Sequence, residues 1–270
     1  MSTNSMIARW TPLFIGSTVS FTMYGTILSQ YGFYLFAFPD DKMFLKALVS
    51  SVFVLDTMST YGALHYQWEI FIRCHKNISA DCQAVIPWQA YMSMILGFHL
   101  TFVVQSFYAH RVWIMSGHNS PITAGVVALA LAQLVTGMVC SGHVIRTGST
   151  AAMFDSLATG GANAAASATC DILITSAIFY YLRLKRTDFR RREAPIERIT
   201  KVFINSGLFT CMASLITLVL YCMQGRSYMI GAIGTALGKS YVNSMLAVLN
   251  ARKLIRERKS TIVPMELQTL

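Results

Sequence analysis

Charge is what this chain most conspicuously lacks. Asp, Glu, Lys and Arg make up 13% of its 270 residues, against 54% that are hydrophobic, whereas a water-soluble domain carries about 25% charged residues. The shortage excludes an ordinary globular domain bathed in water. Four stretches, 10–39, 82–110, 112–145 and 202–225, contain no charged residue at all. Three further apolar segments, 47–66, 161–182 and 229–251, contain one each: Asp56, Asp171 and Lys239. About 20 residues of helix cross a hydrocarbon core of about 30 Å, so each of the seven segments is long enough to span a membrane.

Proline is also missing from the interiors of these segments. Pro12, Pro39, Pro87 and Pro121 fall at expected helix ends, and Pro195 and Pro264 lie between or beyond the apolar runs. An interior proline would free a carbonyl that lipid cannot hydrate. Trp10, Trp68, Trp88 and Trp113 stand at the ends of the same runs, as an interfacial aromatic belt requires. The sequence therefore predicts an all-α membrane protein: a bundle of seven transmembrane helices spanning about 12–36, 47–66, 88–110, 121–144, 161–183, 202–224 and 229–251.

Enzyme signatures are absent too. There is no His-Glu-x-x-His and no histidine cluster, and Asp40-Asp41 is isolated rather than part of the acid-rich pairs that hold magnesium pyrophosphate. No metal or cofactor is expected, nor is a nucleic-acid partner. The third helix lacks the acid-Arg-Tyr end of rhodopsin-like receptors, and the seventh lacks Asn-Pro-x-x-Tyr. A lysine in a seventh helix also occurs in microbial rhodopsins. Their acidic third helix and sixth-helix Trp have no counterpart here.

What is present sets the orientation. Taking the segments between helices alternately, one side receives 16 Lys and Arg and the other 5, with Lys239 belonging to neither. The rich side holds 183–201 and 252–259, so the basic tail 252–270 is expected in the cytosol and residues 1–11 outside. The second loop is then extracellular. It contains a glycosylation sequon at Asn77-Ile78-Ser79, flanked by Cys74 and Cys82, the two cysteines away from the spans. That placement makes a disulfide plausible on an oxidising face. The lipid bilayer, of the plasma membrane or an endomembrane, is the first partner; the basic loop 183–201 is a candidate contact for a cytosolic one.

Charge at mid-depth needs a partner or a purpose, since each such group costs at least about 2.5 to 3.5 kcal/mol on insertion scales. Asp56, Asp171 and Lys239 lie midway along the second, fifth and seventh helices, and Lys239 is 13 residues from Arg252, too far to reach water easily. His99 and Gln133 stand at similar depth on the third and fourth helices. Thr235, Lys239, Asn243 and Asn250 form one stripe at helical spacing, and Ser167, Asp171 and Thr175 another. Two readings follow: Lys239 pairs with Asp171 or Asp56 and merely fixes helix register, or these groups line a ligand cavity. Two acids and one base leave a carboxyl over, which favours the cavity. Gly231, Gly234 and Gly238 are expected to let a neighbouring helix approach Lys239.

The distributed motifs also carry a resemblance. They comprise Gly16 with Tyr24-Gly25, Leu55-Asp56-Thr57, Gln105-Ser106-Phe107-Tyr108-Ala109 with Arg111-Val112-Trp113, and Leu131-Ala132-Gln133-Leu134. They continue with Cys170-Asp171-Ile172-Leu173-Ile174, residues 200–207, Gly238-Lys239-Ser240-Tyr241-Val242-Asn243-Ser244 and Leu249-Asn250-Ala251-Arg252. Together they resemble a family of seven-span proteins of unknown function from mushroom-forming fungi. The resemblance implies the fold and topology and brings no catalytic residues. The expected function is a receptor-like or ligand-binding membrane protein. Its cavity would be lined by Asp56, His99, Gln133, Asp171, Lys239 and Asn243 and would take a small apolar or amphipathic ligand. The alternative is a membrane enzyme of isoprenoid or lipid metabolism using Asp56 or Asp171 as an acid; a transporter or channel is third.

Overall fold

A computed structural model describes the backbone of residues 3–74, 86–148, 157–188, 194–223 and 227–267, with side chains over 11–74, 86–148, 158–181, 183, 207–223 and 229–253. The described residues are helical and contain no strand. Seven α-helices follow one another: α1 Thr3–Ala37, α2 Met43–Trp68, α3 Trp88–Met115, α4 Ser120–Thr147, α5 Leu157–Asp188, α6 Ala194–Cys222 and α7 Ser227–Leu267. A π-helical turn, Glu69–Arg73, finishes α2.

Among the described residues, four segments are long and apolar enough to cross a membrane: Met43–Arg73, Trp88–Met115, Ser120–Thr147 and Ala158–Tyr181. In α6 the apolar stretch is shorter, Gly207–Cys222. The chain is a multi-pass membrane protein. Its outer surface fits that solvent, since Phe36, Val135, Val139, Ile216 and Val219 are exposed. Trp68, Trp88 and Trp113 are exposed at helix ends, where an amphipathic ring prefers the headgroup region.

The helices close into a ring, each packed on its neighbours in sequence and α1 on α7; α3 also meets α5 and α7. Proline marks several ends as expected. Pro39 follows α1, Pro87 caps α3 and Pro121 opens α4. Gly148 ends α4 at φ 63°, a left-handed position that a residue with a Cβ adopts at a cost. One proline differs from expectation. Pro12 lies inside α1, because the helix extends back to Thr3; the carbonyl it frees belongs to residue 8, ahead of the apolar run, where water can satisfy it. Pro264 lies within α7, which continues past the expected end of the span at 251.

The main core belongs to one half of the bundle. Ile27, Val49, Val52, Val104, Val112, Val126, Met245, Leu246 and Leu249 are fully buried in one continuous cluster. These residues come from the second halves of α1 and α3, the middle of α7 and the first halves of α2 and α4, which share one end of the ring. At the other end the described residues form two small clusters, Leu13 with Ile70, and Ile86 with Cys140 and Val144.

Close approach at that second end is arranged locally. A Cβ on Gly16 would run into the backbone of Ala232, which ties α1 to α7, and one on Gly62 would strike the Gln89 carbonyl of α3. Two of the glycines expected to serve this purpose on α7 do something else. A Cβ at Gly234 or Gly238 meets nothing within 4 Å, so these two positions leave space instead of admitting a helix.

Candidate functional site

That space is a cavity of about 290 Å³, walled by residues of all seven helices. α1 contributes Leu13 and Ser20, α2 Asp56 and Thr60, α3 Met94 and Phe98, and α4 Gln133 and Cys140. The wall is completed by Asn163 and Ser167 of α5, Thr217 and Tyr221 of α6, and Gly234 and Lys239 of α7. Its deepest charged residues are Asp56 and Lys239, and it extends toward the end marked by Leu13, Tyr66, Ile86, Val144 and Ile230. That is the loosely packed end of the ring.

Lys239 and Asp56 form the floor as an ion pair, with Nζ 2.6 Å from Asp56 Oδ1. Both side chains are almost wholly buried. The ammonium also donates to Thr60 Oγ1 at 2.5 Å and to the Asp56 backbone carbonyl at 3.2 Å. Its three protons are thereby used. Thr60 passes its own proton to the same carbonyl at 2.6 Å, and the face of Tyr24 lies 5.2 Å from Nζ. The pair is electrically neutral as a unit, and Asp56 Oδ2 has no hydrogen-bond partner among the described residues. Gln133 Oε1 likewise has no partner among the described residues, while its backbone carbonyl accepts from Asn163 at 2.6 Å.

The six residues expected at a common cavity are thus divided. Asp56, Gln133 and Lys239 line it. Asp171 does not; it faces a separate cavity of about 20 Å³ on the far side of Tyr241. Asn243 turns to α1, donating to the Met23 carbonyl at 3.1 Å and accepting from Thr26 at 2.6 Å. His99 is bonded through Nδ1 to the Ile95 carbonyl at 2.8 Å and is not part of the wall. The polar stripe on α7 therefore serves two neighbours: Thr235 and Lys239 reach the cavity, whereas Asn243 and Asn250 bond to α1.

Tyr241 and Ser214 stand outside the polar stripes read from the sequence, whereas Ser167 belongs to one of them. Tyr241 donates to Asp171 Oδ2 at 2.6 Å and Ser214 donates to the same oxygen at 3.0 Å. Ser167 lies within hydrogen-bond distance of both, 3.3 Å from Ser214 and 3.2 Å from Tyr241. Ser167, Ser214 and Tyr241 also line the large cavity, so a wall of hydroxyls separates it from Asp171. Serines and tyrosines are common in apolar helices, and only the rotation of α5, α6 and α7 against one another brings these three together.

Two further expectations fall largely beyond what is described. Cys74 is disulfide-bonded, while its expected partner Cys82 and the Asn77 sequon lie outside the described residues. Within the basic segment 183–201, the Arg190-Arg191-Arg192 run also lies outside them. Among the described residues no group of three or more His, Cys, Asp or Glu is placed to hold a metal ion. No curated protein and no solved structure matches the chain. Residues 167–254, which carry Ser167, Asp171, Ser214, Lys239 and Tyr241, match a family described as a family of unknown function (DUF6534).

Proposed function

We propose that this protein is a seven-span receptor-like membrane protein that binds a small, uncharged amphipathic ligand in the cavity above the Asp56–Lys239 pair. The observation that carries this reading is the cavity itself. At about 290 Å³ it is near the lower end of the usual range for ligand sites, about 300 to 1,000 Å³. Its wall is mostly apolar, and its floor carries a neutralised ion pair with unpartnered acceptors on Asp56 and Gln133. A charged ligand would find no complementary net charge there. A hydroxyl or amide on a short apolar body would supply the missing donors while its body displaces nothing better placed.

The ring arrangement supports membrane crossing by α1, α6 and α7 alongside the other four, since each packs along its neighbours. The Lys and Arg asymmetry then directs the cavity away from the cytosol, with the N-terminus outside and the C-terminus in the cytosol. A plasma membrane or an endomembrane with its lumen on that side fits this orientation. Binding is favoured over acid catalysis because Asp56, the acid on the cavity wall, is held by Lys239, whereas Asp171 lies behind Tyr241 and Ser214.

Mass spectrometry of small molecules extracted from the purified protein tests the proposal. The wild type is expected to carry one bound species that Gly234→Phe, which fills the cavity, does not. Identical extracts from both would remove the support for ligand binding. Recovery of a substrate and product pair, converted on incubation, would favour the enzyme reading instead.

A further inference from the structure

The carboxylate left over from the Asp56–Lys239 pair raises a separate question. Asp171 is buried and forms no ion pair or hydrogen bond with a cation among the described residues. Its hydrogen bonds from Tyr241 and Ser214 both fall on Oδ2, so among the described residues neither hydroxyl occupies Oδ1. An isolated charge at this depth is costly, so something must neutralise it.

The surroundings specify what would fit. The small cavity that Asp171 lines measures about 20 Å³, just above the roughly 10 to 15 Å³ that one water needs, which excludes any polyatomic ligand of appreciable size. Its polar lining is oxygen alone: Tyr108, Thr175, Thr210, Tyr241 and Ser244 besides the carboxylate. Thr175 Oγ1 makes no hydrogen bond among the described residues, although a helical threonine normally returns one to the preceding turn. Gln105, fully buried, stands beside the carboxylate as a further polar neighbour, and its Oε1 has no hydrogen-bond partner among the described residues. Tyr108, Thr210, Tyr241 and Ser244 are hydrogen-bonded but each hydroxyl oxygen keeps a lone pair, and hydroxyl oxygens around one buried carboxylate are ligands that a hard cation takes. With a single carboxylate, a monovalent ion restores neutrality, whereas a divalent one would leave net positive charge inside the bilayer.

We propose that this cavity is a binding site for one small monovalent cation, sodium by its size, coordinated by Asp171 Oδ1 and the hydroxyl oxygens of Thr175 and its neighbours. The ion would hold Asp171 in place and, through it, Tyr241 and Ser214, which wall the ligand cavity. The site does not depend on what the larger cavity binds. The titratable groups around Asp171 are Tyr241 from α7, Tyr108 from α3, Cys211 from α6 and Cys170 on its own helix; none carries positive charge, so a proton on Asp171 is the sole competitor for this role among them.

Thermal unfolding of the full-length protein in detergent, at constant ionic strength with sodium, potassium or choline chloride, tests the site. Saturating sodium is expected to raise Tm by about 4 °C or more over choline, with potassium weaker and the sodium effect reduced by mild acid. Asp171→Asn should abolish the cation dependence. Should that variant fail to fold, Thr175→Val, which removes one oxygen at nearly constant volume, is expected to raise the sodium midpoint about tenfold. Equal stability in sodium and choline, or a response to pH with none to sodium, would overturn the proposal.

Discussion

The two halves of the bundle are built differently. In the half where α1 and α3 finish and α2 and α4 begin, valine, leucine and isoleucine from several helices interlock into one cluster, and the cavity there holds about 20 Å³. In the other half the helices enclose about 290 Å³, and hydroxyls, glycines and the floor of the ion pair take the place of interlocking side chains. Apolar burial gives helices in lipid no hydrophobic gain against one another, so dense packing is what holds them together. A helical bundle that gives up such packing at one end has a reason to do so, and in the function proposed above that reason is a ligand.

The sharpest way to probe that division is to break the pair at its boundary. Lys239→Met leaves the Asp56 carboxylate buried without its cation and is expected to destabilise the protein by about 3 to 5 kcal/mol. Adding Asp56→Leu should restore much of the loss, because two apolar groups of similar size replace the pair. Thermal unfolding of the single and double variants checks this. A single variant as stable as wild type would mean that the pair contributes nothing to the floor.

Packing substitutions compare the halves directly. Leu246→Ala in the dense half removes a fully buried side chain and is expected to cost about 2 to 4 kcal/mol. Met94→Ala, on the cavity wall, should cost under about 1 kcal/mol, since it enlarges a space already open. Equal losses at the two positions would erase the distinction. Likewise, Gly16→Leu should destabilise α1 against α7, where its Cβ meets Ala232, whereas Gly234→Phe should be tolerated.

The smallest effect belongs to the closed end. There Arg252 binds Asp41 at 2.7 Å, Tyr34 donates to the same carboxylate at 3.0 Å, and the guanidinium lies 4.5 Å from the Phe38 ring centroid. Burial alone would raise the Asp41 carboxyl, but the hydrogen bonds and charge of Arg252, with Tyr34, outweigh it and hold the group below its ordinary value. A depressed acid stabilises the fold above its unfolded value, and that contribution is lost as pH falls through the lowered folded value. The pair is partly exposed, so Arg252→Ala should cost about 0.5 to 1 kcal/mol at neutral pH. A titration of stability should show that difference vanish in acid.

The floor was legible in the sequence for a definite reason. A charged residue within an apolar run is conspicuous, so Asp56, Asp171 and Lys239 stood out, and their excess of acid pointed to one carboxyl without a cation. Helix rotation was not legible. Periodicity placed Lys239 and Asn243 on one stripe, yet a stripe at a three-helix junction meets two neighbours, and α1 takes Asn243. The glycines of α7 read equally well as contact or as space until a facing helix was known. Thr60, Ser214 and Tyr241 gave no signal because hydroxyls can satisfy themselves on their own backbone anywhere in a helix.

Labelling of Cys140 tests the central claim most directly. This free cysteine lines the cavity, and Cys222, which is exposed, is removed by substitution with Ser. A small membrane-impermeant thiol reagent applied to the side carrying the N-terminus should modify Cys140, and Gly234→Phe should slow the reaction about tenfold or more, a change of about 1.4 kcal/mol in the barrier. Labelling from the opposite side alone, or a rate that Gly234→Phe leaves unchanged, would contradict an outward-facing ligand cavity.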